Sequence, residues 1–242
     1  MTGRGEDGRL DEIAANLERV EARVQEACSA AGRRRSTVTV VAVTKTFPVE
    51  DVVRLHELGI RDVGENRDSD AAAKVAAARS AGLTDLKWHF VGQVQRNKAT
   101  SVATYADLVH SVDRVRLVSA LSKGAGARGR QVDCLVQVDL RDPPVGDGRG
   151  GAVPADVASV AAAIDAAQHL TLAGVMTIAP LSGDPSQAFH RLAGIASELR
   201  TTYGGATVIS AGMSGDLEAA VAAGATHLRL GTALLGSRPA LG

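Results

Sequence analysis

The chain of 242 residues is long enough to bury a substantial core, as two small domains or one large barrel. Its 27 Lys and Arg balance 27 Asp and Glu, so no net charge draws it to nucleic acid or an anionic membrane, and a small molecule is the expected partner. Only six residues are aromatic although 45% are apolar, so the core must be built from Ala, Val, Leu and Ile, as in parallel sheets under helices.

Cys28 and Cys134 are far apart, with no CxxC spacing and no secretory apolar stretch ahead of them, so a disulfide scaffold is not expected and the expected location is cytoplasmic. No uninterrupted apolar run approaches the roughly 18 residues needed to span a bilayer, so no membrane role is expected.

Residues 1–9 lack periodicity and read as a mobile tail, with a single domain expected over 10–238. Leu10, Ile13, Leu17, Val20, Val24, Ala27 and Ala31 then recur at spacings of three and four, the apolar stripe of an amphipathic helix ending near Gly32. The basic run Gly32–Arg35 reads as cations near that helix's C-terminus. Beyond it, short β-like runs at 38–45, 61–65, 87–92, 107–112, 133–140, 170–178, 206–212 and 227–236 alternate with Ala-rich helical segments such as 49–58, 154–167, 185–203 and 215–223. Eight such units with right-handed crossovers predict an α/β fold, a TIM (β/α)8 barrel, with the extra N-terminal helix covering one end. The Pro- and Gly-rich stretch 141–151 follows the fifth strand, where barrels keep active-site loops, and reads as either a lid or a plain connector.

The first strand ends in "VVAVTKTFP", and period-two alternation puts Val41, Val43 and Lys45 on one face. If that face is the barrel interior, Lys45 sits at the C-terminal mouth. An ammonium there is costly unless paired, or else neutral and nucleophilic toward carbonyls, whereas a lysine that snorkels to solvent is the unremarkable reading. Near the C-terminus, "SAGMSGDLEAAVAAG" brings Ser214 and Gly215 to the start of a helix. "HLRLGTALLG" turns His227, Arg229 and Gly231 away from Leu228 and Leu230 and offers the Thr232 hydroxyl. Small residues after strands seven and eight are where barrels bind phosphate. Together with an inward Lys45 they describe a site for a phosphorylated aldehyde, and pyridoxal 5'-phosphate (PLP) fits the parts, with Arg229 for the ring.

The segments "VAVTKTFP", "GEN", "WHFVGQVQRNK", "HSVDR", "GVMTIAP" and "SAGMSGDLEAAVAAGATHLRLGTALLGSRP" resemble, in this order, the YggS/PROSC family of pyridoxal phosphate homeostasis proteins over about residues 10–238. The resemblance implies a barrel like the N-terminal domain of alanine racemase and a cofactor bound as an aldimine on Lys45. It further implies that Asn66 lies near the cofactor, that Met213, Ser214, Gly231 and Thr232 hold the phosphate, and that Arg229 meets the pyridine nitrogen. The chain departs from the family pattern at Arg67, usually tyrosine, at Gly215 in "GMSGD", and in the loop after the fifth strand, which has Arg149-Gly150 in place of a lysine-containing pattern. Lys98 reads as a solvated charge or a secondary acceptor.

The expected function is PLP binding and homeostasis without strong catalysis, with PLP-dependent apo-enzymes as partners and a monomeric state. A PLP-dependent amino-acid racemase of low activity is the alternative. Racemisation needs an acid/base group on each face of the cofactor, and Lys45 serves one. The opposite tyrosine of alanine racemase comes from a second domain, and the chain ends at Gly242 after the eighth strand, so none is expected; neither Tyr105 nor Tyr203 is placed to substitute. An arginine at the ring nitrogen also weakens the electron sink. A cofactor-free lysine aldolase would leave Arg229 and the phosphate donors idle. His89 and His110 lack metal-ligand spacing and read as satisfied core histidines, so no metal is expected.

Overall fold

The computed structural model describes residues 3–141, 150–180 and 183–237, with side chains from Gly8 onward. Eight parallel strands close into a barrel in sequence order: β1 (Thr39–Val43), β2 (Asp62–Glu65), β3 (Lys87–Phe90), β4 (Leu108–Val112), β5 (Val132–Gln137), β6 (Leu170–Met176), β7 (Val208–Ser210) and β8 (His227–Leu230). β8 closes on β1 with Val41 opposite Arg229, so the interior faces of the first and last strands lie side by side. The expected TIM barrel is the observed fold.

The outer layer comprises α1 (Gly3–Ala30), α2 (Val49–Glu57), α3 (Asp68–Ser80), α4 (Arg96–Val102), α5 (Val115–Gly126), α6 (Val157–Asp165), α7 (Pro185–Thr202), α8 (Leu217–Ala222) and the single turn α9 (Thr232–Leu235). Local chemistry sets their ends. Pro185 occupies the first turn of α7 and the Asp184 carboxylate accepts the Ser186 N–H at 2.9 Å, while Gly32 at φ 64° terminates the turn after α1.

Val40, Ala42, Leu228 and Leu230 pack outward against the helices in the main core. Val41 and Val43 face inward, where a Cβ built on Gly64 would meet them at 3.2 and 3.3 Å. Inside the barrel Leu108, Leu135, Ala173 and Met176 form a small apolar plug.

Of the stretch 1–9, the described residues from Gly3 belong to α1, and Arg9 donates at 2.8 Å to Asp51 and at 3.0 Å to the Leu235 carbonyl. Two expectations need correction. α1 does not cover an end of the barrel; it packs beside α8, α9 and α2, filling the place left in the outer ring by the short α9. The last strand stops at Leu230 rather than 236, because residues 232–235 turn helical, and a short apolar run does not tell strand from helix. Of the stretch 141–151, read as lid or connector, residues 142–149 with Arg149 lie outside the described residues. Their flanks meet where Asp139 N–H donates to the Ala152 carbonyl at 2.9 Å. Among the described residues no helix is long and apolar enough to cross a membrane.

Candidate functional site

A cavity of about 370 Å³ opens at the C-terminal ends of the strands, and Lys45, Met213, Ser214, Arg229, Gly231 and Thr232 all line it. Its size suits a ligand of cofactor dimensions. Val43, Phe47, Val91 and Ile178 give it apolar walls. Asn66 is not among the lining residues. It follows β2 at the same end of the barrel but lines a second groove of about 220 Å³ with Arg67, Gln93 and Lys98, the last 3.8 Å from the Asp68 carboxylate.

Lys45 sits in the turn that leaves β1, and the turn is fixed from behind. The Thr44 carbonyl accepts from Phe47 N–H at 3.0 Å and from the Lys74 ammonium at 2.8 Å. Thr46 adopts φ 68°, a left-handed conformation that a β-branched residue holds only under constraint.

The two small-residue segments are held from the outside by α1. Arg23 donates to the Ser214 carbonyl at 3.2 Å and pairs with Glu218, and Asn16 donates to the Leu234 carbonyl at 2.8 Å. The segments are also tied to each other, since Ala233 N–H donates to the Ser214 hydroxyl oxygen at 3.2 Å. Asp216 shapes the first of them by accepting Met213 N–H at 2.6 Å. Gly231 passes close to β1; a Cβ there would stand 3.3 Å from the Val43 carbonyl oxygen.

Arg229 is 6% exposed, and its guanidinium donates to Ser210 Oγ at 2.7 Å and to the Thr177 carbonyl at 2.8 Å. Burial pulls its pKa down to about 10 against the raising influence of Asp216, so it remains a cation at neutral pH. Ser210 and Thr177 carry no signal of this role in the sequence beyond lying in "GVMTIAP" and "SAGMSG". The apolar wall residues could have been found by extending the period-two reading past the strand ends.

His89 and His110 are buried with all four ring nitrogens hydrogen-bonded: His89 Nδ1 to His110 Nε2 at 2.9 Å, His89 Nε2 to Asp62 Oδ1 at 2.9 Å, and His110 Nδ1 to Ser210 Oγ at 2.9 Å. Among the described residues no cluster of His, Cys, Asp or Glu could hold a metal ion.

Comparison with known proteins agrees with this geometry. Residues 9–239 match the model of the alanine racemase N-terminal domain. A pyridoxal phosphate homeostasis protein of Mycobacterium bovis is 40% identical over 95% of this chain and 94% of its own length, and that of Escherichia coli K12 is 32% identical over 95% and 98%. The structure of PipY from Synechococcus elongatus with PLP bound superposes with a TM-score of 0.78 at 33% identity, covering 93% of this chain and 100% of that one. Alanine racemase of Corynebacterium glutamicum shares the fold, with a TM-score of 0.66 at 17% identity over 96% of this chain and 62% of that one. On these grounds the chain belongs to the pyridoxal phosphate homeostasis proteins, built on a barrel of the alanine racemase N-terminal type.

Proposed function

We propose that the mouth cavity holds PLP and that the protein acts in the homeostasis of that cofactor, keeping its reactive aldehyde captured and passing it to PLP-dependent apo-enzymes in the cytoplasm as a monomer. The observation that carries this reading is the convergence of one amine, one buried guanidinium and two small hydroxyl-bearing segments on a single cavity of about 370 Å³. Those donors match the cofactor's chemistry. With the cofactor bound, the Lys45 amine would condense with the aldehyde and release water, Ser214 and Thr232 with the glycine backbone beside them would take the phosphate, and Arg229 would face the ring. Asn66, which lines the neighbouring groove, would reach the ligand from that side.

Homeostasis is preferred to racemisation on a specific ground. Tyr105 is buried under α3, where its hydroxyl donates to Asp68 at 3.3 Å and burial pushes its pKa upward, and Tyr203 ends α7. Neither tyrosine lines the cavity to serve as the second acid/base group. The test is absorbance of the purified protein on addition of PLP, followed by mixing with an apo-enzyme. A cofactor band that disappears into the recovered activity of the apo-enzyme supports the reading. A protein that binds PLP and converts one amino-acid enantiomer to the other at an enzyme's rate favours the racemase.

A further inference from the structure

The hydrogen bonds of Arg229 do not end at Ser210. They continue through the barrel interior, from Ser210 to His110 to His89, and reach Asp62 at the N-terminal ends of the strands, where a second cavity of about 270 Å³ opens. Four strands supply one member each: β7, β4, β3 and β2.

The chemistry of the groups fixes the direction of this chain. Burial raises the pKa of Asp62, but the hydrogen bond from His89 and the charges of His89, Lys87 and His227 outweigh it, so the carboxyl titrates below its ordinary value. Asp62 is therefore an acceptor, and His89 must present Nε2–H to it. With Nε2–H as its single ring proton, His89 accepts at Nδ1, which requires His110 to donate from Nε2. Burial holds His110 neutral well below the ordinary histidine range, so its Nδ1 accepts and Ser210 must donate its hydroxyl proton. Ser210 keeps a lone pair for Arg229, which can only donate. Every bond points the same way, from the guanidinium to the carboxylate.

The file also has one way to reverse. With a second proton on His89, Nδ1–H faces His110, which then accepts at Nε2 and donates from Nδ1 to Ser210. The Ser210 oxygen then accepts from both neighbours, and its bond to Arg229 changes. The titratable groups around His89 are Asp62 on β2, Lys87 on β3 with His89 itself, Asp107 ahead of β4, Asp133 on β5, His227 on β8 and His110 on β4.

We propose that Asp62 and His89 are positioning residues for the cofactor-ring site, acting on Arg229 from the opposite end of the barrel through His110 and Ser210. The proposal rests on the reading that Arg229 faces the cofactor ring, and its test separates the two. In the protein without cofactor, ¹⁵N-histidine NMR above neutral pH is expected to find the His110 proton on Nε2. Asp62→Leu, which removes the terminal acceptor, is expected to move it to Nδ1, and Asp62→Asn, which keeps an accepting oxygen, to restore it. With PLP added, the pH profile of cofactor absorbance is expected to shift in Asp62→Leu, with a several-fold weaker affinity. It should return toward wild type in Asp62→Asn and stay unchanged in Glu198→Gln, an exposed position on α7 that lines neither cavity.

A wild-type His110 proton on Nδ1, or a folded Asp62→Leu with wild-type tautomers and a wild-type cofactor profile, overturns the proposal. Should Asp62→Leu not fold, Ser210→Ala cuts the file beside Arg229 and is expected to shift the cofactor profile likewise; an unshifted profile there overturns it too. The expected tautomers with a cofactor spectrum insensitive to every variant and to Arg229→Gln instead overturn the placement of Arg229 at the ring, and with it the positioning role.

Discussion

The ammonium of Lys74 donates at 2.8 Å to the carbonyl oxygen of Thr44, the peptide oxygen immediately ahead of Lys45. The same ammonium pairs with the Glu65 carboxylate at 2.5 Å, and Glu65 also accepts the Thr44 hydroxyl at 2.5 Å. A buried ion pair on α3 and β2 thus clamps the turn that presents the cavity's amine. Replacing Lys74 by Met strands a carboxylate that is 1% exposed, and Glu65 Oε2 already has no partner among the described residues. The expected cost is about 3–5 kcal/mol of unfolding free energy, read by urea denaturation, with part of it recovered in Lys74→Met combined with Glu65→Gln.

The phosphate assignment separates from the aldehyde assignment by ligand choice. Ser214→Ala and Thr232→Val each remove one hydroxyl from the cavity wall. If each hydroxyl bonds the ligand's phosphate, each change costs about 1.5–3 kcal/mol, a loss of roughly 10-fold or more in PLP affinity by titration. Affinity for unphosphorylated pyridoxal is expected to change little in either variant.

Asn66 depends on a glycine in the next loop. A Cβ added at Gly92 would stand 2.2 Å from the Asn66 carbonyl oxygen, inside any allowed contact. Gly92→Ala is expected to displace the Asn66 backbone and weaken PLP binding while the far-ultraviolet circular dichroism is retained. Unchanged affinity in that variant would remove Asn66 from the ligand's surroundings.

Acid is expected to destabilise the fold through its buried histidines. Burial lowers the His227 pKa to about 4 and holds that of His110 well below the ordinary histidine value, so both stay neutral in the fold at pH values where an unfolded histidine, with pKa about 6.5, takes up a proton. Folded pKa values below the unfolded value mean full stability above pH 6.5 and progressive loss as the pH falls toward 4. Urea midpoints across that range check the slope, and His227→Gln is expected to flatten it.

The barrel was legible because its evidence is local. Period-two runs ending at Lys45 and Arg229, and turn glycines such as Gly32 and Gly224, declare strands and helix ends without knowledge of the partner strand. The cavity was legible where one segment carries several contacts, as in Met213 to Gly215 and Gly231 to Thr232. The Ser210, His110, His89 and Asp62 file was not, because its members come from four strands and meet only when the barrel closes. The position of α1 is not legible in the sequence for a related reason. An amphipathic stripe states that a helix packs, whereas the bonds from Arg9, Asn16 and Arg23 that decide where reach residues more than 190 positions away, apart from the Arg9 link to Asp51.

The central claim is that Lys45 is the residue that captures the cofactor. Borohydride treatment of the protein with PLP, followed by peptide mapping by mass spectrometry, tests it most directly. The account predicts a single dominant phosphopyridoxyl adduct on the peptide containing Lys45, absent in Lys45→Ala. An adduct located instead on Lys98, Lys74 or another lysine, or an equal yield in Lys45→Ala, would contradict it.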